Sequence, residues 1–242
     1  MMPVKQFLSE LKQEFEPLYQ VSEINTRNFF NSKPSKDTLI DHFKSRMCNE
    51  RQNMIELSIK VSKLPITTKP SEARLLAKQT FDEAEHFRMV CEVLEHLSGD
   101  KVDLEDIYAT HGTNRPDQGV NLISRYNAQD DELALALYQY LAEGRASRVW
   151  QTMADNVEDD FVASRYSKIA RDERFHSEIG RMKLEEICIT EEEQTRAKEL
   201  ARQWCWDLFE ISCLSNVPPT EEAKSIMHKA YGEPPREIRY SM

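Results

Sequence analysis

Glycine is scarce in this chain, with 6 residues among 242, while alanine, leucine and the long polar residues are plentiful, which favours long helices over turn-rich sheet. No stretch reaches the roughly 18 consecutive apolar residues of a membrane span. The first twenty residues, MMPVKQFLSELKQEFEPLYQ, lack the uninterrupted apolar core of a signal peptide. The five cysteines, Cys48, Cys91, Cys188, Cys205 and Cys213, are odd in number and contain no CxxC pair, so neither a disulfide framework nor an iron–sulfur site is expected. These absences predict a soluble, cytoplasmic protein with reduced thiols and no membrane association. Positive charge is also in deficit: the net charge is -10 and the pI about 5.2. Such a field repels phosphates and makes nucleic acid a poor partner.

What is present is helical periodicity. The expected architecture is all-α, a single helical domain over residues 1–242 with a four-helix bundle core at about 38–188 and accessory helices at about 3–17 and 191–230. A short amphipathic N-terminal helix precedes a polar stretch ending in NSKPSKDT, where Asp37 or Thr38 can cap the next helix. That helix carries Ile40, Phe43, Met47, Glu50, Met54, Leu57, Val61 and Leu64 in steps of three and four. PITTKPS breaks it. A second long helix from Ser71 places Leu76, Glu83, His86, Val90, Val93 and Leu97 on one face and ends at SGD, 98–100.

Residues 101–127 read as a short helical piece and the loop THGTNRPDQG, a long crossover between two halves. A third long helix runs from about 128 through ELALALYQYLAEGRASRVWQTMADN, with length and alanine content outweighing the strand-like LALAL. The fourth, about 158–188, aligns Val162, Tyr166, Ile169, Glu173, His176, Gly180, Leu184 and Ile187. A fifth, about 191–213, holds Trp204, Trp206 and Phe209; a short last helix is capped at Thr220, and an extended tail follows GEPP.

Polar residues on apolar stripes carry the chemistry. EAEH at 83–86 and ERFH at 173–176 each set a glutamate three residues before a histidine, on one helix face. Two of the six histidines show this pair. The preceding helix in each case offers one more glutamate within its stripe, Glu50 before the first pair and Glu143 before the second, at offsets of 83 − 50 = 33 and 173 − 143 = 30. One glutamate from each of two helices and Glu-x-x-His from each of the other two is the ligand pattern of ferritin-like dimetal proteins. Oxygen donors with one imidazole per ion suit iron or manganese. The expected ligands are therefore Glu50, Glu83, His86, Glu143, Glu173 and His176, holding two Fe ions or Mn in their place. Glu56 competes with Glu50 but falls off the stripe; Glu143 is the only acidic residue between Glu132 and Asp155. Glu85, Asp172 and Glu178 are expected to be solvated or to support the ligands, and His42, His96, His111 and His228 to lie on the surface.

Four stretches, AKQTFDEAEH, LAEGRAS, KIARDERFHSEIG and RQWCWDLF, spanning about residues 70–210, resemble the catalytic subunit of phenylacetyl-CoA epoxidase and related bacterial di-iron oxygenases. That resemblance implies two ferrous ions that reduce O2 and place one oxygen atom, by hydroxylation or epoxidation, in a small organic substrate. Electrons then come from a separate reductase, since the chain has no flavin fingerprint. The chain looks shorter than those subunits and shows no basic cluster to seat a coenzyme A phosphate. A free or carrier-linked substrate is thus as compatible as an acyl-CoA. A ferritin-type iron oxidase or store shares the ligand set and stands as the alternative, with a non-catalytic oxygenase subunit behind it. Either a homo-oligomer or a hetero-oligomer fits the resemblance.

Overall fold

The computed structural model describes residues 2–112, 128, 130–213 and 219–235, and among these every regular element is helical. The chain is all-α, as its composition predicts. It divides into two compact units, Pro34–Asn121 and the combination of Met1–Lys33 with Leu122–Met242. Among the described residues, no helix is long and apolar enough to cross a membrane. Most of the THGTNRPDQG loop and the tail after Pro235 lie outside the described residues.

The smaller unit is a helical hairpin, α2 (Lys36–Ser62) against α3 (Pro70–Ser98), with a short α4 (Leu104–His111) added. The cap of α2 is Ser35 rather than Asp37 or Thr38; its hydroxyl accepts from the Thr38 N–H at 3.2 Å, while Asp37 sits in the first turn, where a carboxylate favours the positive helix end. Pro70 opens α3 at a position that needs no N–H, and Gly99 closes it at φ 85°, a left-handed conformation that glycine adopts without strain. Helix α4 is tied back to α2 twice. His111 Nε2 lies 2.6 Å from Asp41 Oδ1, and the Arg51 guanidinium stacks 4.6 Å from the centre of the Tyr108 ring.

The larger unit contains α1 (Val4–Asn31), α5 (Glu132–Tyr138), a π-helical turn (Gln139–Glu143), α6 (Gly144–Asn156), α7 (Asp160–Ile187), α8 (Glu191–Cys213) and α9 (Glu221–Tyr231). Its core joins Phe7, Leu11, Phe15 and Leu18 of α1 to Leu137, Leu141, Trp204 and Phe209. Two expectations are corrected here. The N-terminal helix does not stop near residue 17 but runs straight through Pro17 to Asn31. Proline removes one backbone hydrogen bond, costing about 3 kcal/mol, yet Leu18, Tyr19 and Val21 beyond it are all buried. Each apolar side chain so buried contributes about 1.5–3 kcal/mol, which outweighs the broken turn. The third long helix is likewise not uniform, because five residues ending at Glu143 form a π turn between α5 and α6. The last helix is capped by Thr220 as expected, its hydroxyl accepting from the Ala223 N–H at 3.2 Å.

Two histidines expected on the surface are buried. His111 is held as described, and His42 on α2 is 9% exposed. Burial, aided by the nearby Arg46 cation, pushes His42 down to about 3. Its stripe position, one residue before Phe43, gives no sign of this.

Trp204→Ala, at a fully buried site, should cost about 3–5 kcal/mol in a denaturant unfolding experiment. For His42, the folded pKa lies below the ordinary value, so the unfolded chain binds the extra proton between about pH 6.5 and 3 and stability falls as pH drops through that window. His42→Gln should flatten that slope in unfolding free energy measured against pH.

Candidate metal centre

In the smaller unit, α2 and α3 face each other along the stripes read from the sequence: Phe43, Met47 and Leu57 on one side, Leu76, Val90 and Val93 on the other, are buried. Glu50, Glu83 and His86 interrupt these apolar rows, at 4%, 0% and 0% exposure. His86 Nδ1 lies 3.5 Å from Glu50 Oε2 and 3.6 Å from Glu83 Oε2. These separations exceed good hydrogen-bond lengths. They suit donors around one ion instead, since ligands at about 2.0–2.2 Å from a metal stand roughly 3–3.5 Å apart. Each of the three offers a ligand atom within 4.8 Å of the others.

The larger unit holds a second trio, Glu143, Glu173 and His176, again with ligand atoms within 4.8 Å of one another. All three are buried, at 4%, 1% and 0% exposure. Glu173 and His176 sit one turn apart on α7, with Oε2 and Nδ1 separated by 3.0 Å. Glu143 is the last residue of the π turn. With its carboxylates ionised and imidazole neutral, each trio carries a charge of -2, which a divalent cation compensates in a way that a dry helix interface cannot. The donor set therefore fits iron or manganese in both places.

Close backbone packing shapes the second trio. A Cβ on Gly180 would collide with the Tyr140 backbone nitrogen and come 2.5 Å from the Ala136 carbonyl oxygen, so glycine lets α7 approach the π turn. The turn's carbonyls are taken up from outside: the Ser177 hydroxyl donates to Tyr140 O at 2.8 Å, and the Tyr19 hydroxyl reaches Tyr140 O at 3.3 Å and Leu141 O at 3.2 Å. Beyond the turn, Arg145 is buried and donates to the Ser22 and Ser212 hydroxyls at 2.9 and 2.5 Å.

The competing residues take other roles. Glu56 accepts from Gln52 Nε2 at 3.2 Å and stands outside the trio; burial raises its pKa, against the lowering effect of that hydrogen bond. Glu85 pairs with Arg88 at 2.9 Å, and Glu178 with Arg181 at 2.7 Å, on exposed helix faces. Asp172 pairs with Lys168. Three further buried acids, Asp82, Asp207 and Glu210, lie outside the set expected from the sequence; Asp82, 3% exposed beside Glu83, is paired with Lys78. Its sequence signal is a repeat: Lys78, Asp82, Glu83 and His86 have the same spacing as Lys168, Asp172, Glu173 and His176.

No family model matches the chain, and no curated protein matches it. The resemblance to di-iron oxygenases thus rests on the four sequence stretches alone. Among solved structures the chain is similar to a TenA homolog from Pseudomonas syringae pv. tomato, with a TM-score of 0.47 and 13% identity over 93% of this chain and 86% of that one. So distant a likeness transfers no chemistry.

Packing at Gly180 gives a direct test of this geometry. Gly180→Ala should cost about 1–3 kcal/mol in chemical denaturation, because the added methyl meets backbone atoms that cannot rotate away.

Proposed function

We propose that each trio holds one iron, two per chain, and that the chain is a non-heme di-iron oxygenase acting on a small organic substrate, free or thioester-linked. The observation that carries this reading is the duplicated donor set: in each unit a glutamate from one helix meets a buried Glu-x-x-His pair from the next, within ligand distance. Glu50, Glu83 and His86 would hold one ion, and Glu143, Glu173 and His176 the other. Manganese accepts the same donors.

When bound, the metal pair supplies the electron exchange with O2 that side chains cannot. The chain's own residues do the rest. The carboxylates fix the ions and balance their charge, the imidazoles set one nitrogen donor per ion, and the apolar stripes around them keep water from the reacting atoms. Placing one oxygen atom of O2 in a substrate and releasing the other as water takes two electrons and two protons. A separate reductase is the proposed source of the electrons.

Metal analysis after anaerobic ferrous loading should give about two irons per chain. Glu173→Ala combined with His176→Ala should remove at least one of them. Oxygen consumption should require both a reductant and a substrate. Fewer than one iron per chain, or unchanged loading in the double variant, sinks the di-iron reading; many irons per assembled particle favours the storage reading in its place.

A further inference from the structure

The π turn that ends at Glu143 is held by groups remote from it in sequence. The Tyr19 hydroxyl, on α1, stands between the carbonyl oxygens of Tyr140 and Leu141 at 3.3 and 3.2 Å. A phenol has one proton to give, so the two carbonyls share it. Ser177, on α7, donates to Tyr140 O as well, at 2.8 Å. Glycine follows Glu143 for a reason tied to the same group: a Cβ on Gly144 would come 2.5 Å from the Tyr19 oxygen and 3.0 Å from Ser177 Oγ.

The grip of α1 continues past the ligand. Ser22 accepts from Arg145 Nε at 2.9 Å, Glu23 from Arg148 Nε at 2.5 Å and Glu16 from Arg148 Nη1 at 2.7 Å. The Arg148 guanidinium also lies 5.4 Å from the centre of the Tyr19 ring. One face of α1 therefore holds the chain on both sides of Glu143, at 140–141 and at 145–148. π turns are rare single-turn features inserted in α-helices. Relaxing one by a single residue would rotate Glu143 by about 100° and carry its carboxylate out of the trio.

We infer that Tyr19 is a positioning residue for the metal centre: through its hydroxyl, α1 locks the π turn in the register that aims Glu143 at Glu173 and His176. This rests on the di-iron reading above. Ser177 supports the same carbonyl from the opposite helix. Neither residue touches a reacting atom; both act through Glu143.

Anaerobic titration with Co(II), followed by its visible absorption and by competition with a chelator, tests the role in the full chain. Wild type should bind two ions. Tyr19→Phe keeps the ring and removes the hydroxyl; one ion should bind as before and the other about 10-fold or more weakly, with an altered absorption band. Tyr231→Phe is the control, because the Tyr231 hydroxyl donates to the Glu14 carbonyl, another α1 contact away from the π turn. It should leave both affinities unchanged. Ser177→Ala should weaken the same ion as Tyr19→Phe, and Ser177→Thr should restore it, which keeps the test open if Tyr19→Phe folds poorly. Wild-type affinities in both Tyr19→Phe and Ser177→Ala, or equal weakening by Tyr19→Phe and Tyr231→Phe, overturn the positioning role alone. A wild-type chain that takes up no cobalt overturns the metal reading and the positioning role with it.

Discussion

Carboxylates removed from water on otherwise apolar helix faces are the constraint around which this protein is arranged. Glu83 and Glu173 are almost fully inaccessible, and an ionised carboxylate in such surroundings is unfavourable by several kcal/mol without a compensating charge. Each helical pair meets the constraint alike, grouping two carboxylates and an imidazole within reach of one cation. The apolar residues above and below each trio supply the burial that drives helix pairing. The polar groups decide what the interior can hold.

Much of this was legible in the sequence because helix periodicity converts spacing into direction. Glu50 belongs to the trio and Glu56 does not, as the alternation Phe43, Met47, Glu50, Met54, Leu57 implied. His86 and His176 sit one turn from Glu83 and Glu173, as three-residue spacing requires. The limits of α8 and the Thr220 cap of α9 were equally readable, since their signals are local.

Other features depend on partners far along the chain. The π turn lies in a run, LALALYQYLAE, that is apolar nearly all round, so its sequence sets no register; the register comes from Tyr19, Ser177 and Gly180. Pro17 reads as a helix stop because its local effect is unfavourable, and only the burial of Leu18 and Val21 tips the balance towards a continuous helix. His42 is drawn inside by packing, with no spacing to announce it. Asp82 is legible only in the longer repeat that contains the Glu-x-x-His pairs, because its own neighbours do not mark it as buried.

The placement of α1 also has a consequence for synthesis on the ribosome. Tyr19 is separated by 121 residues from the Tyr140 carbonyl it serves. At about 5–20 residues per second, translation leaves roughly 6–24 s between the two. Through nearly all of that interval Phe7, Leu11, Phe15 and Leu18 have none of their α5, π-turn or α8 neighbours. Helix α1 is thus made well before the elements it packs against, and its apolar stripe stays exposed on the nascent chain until they follow.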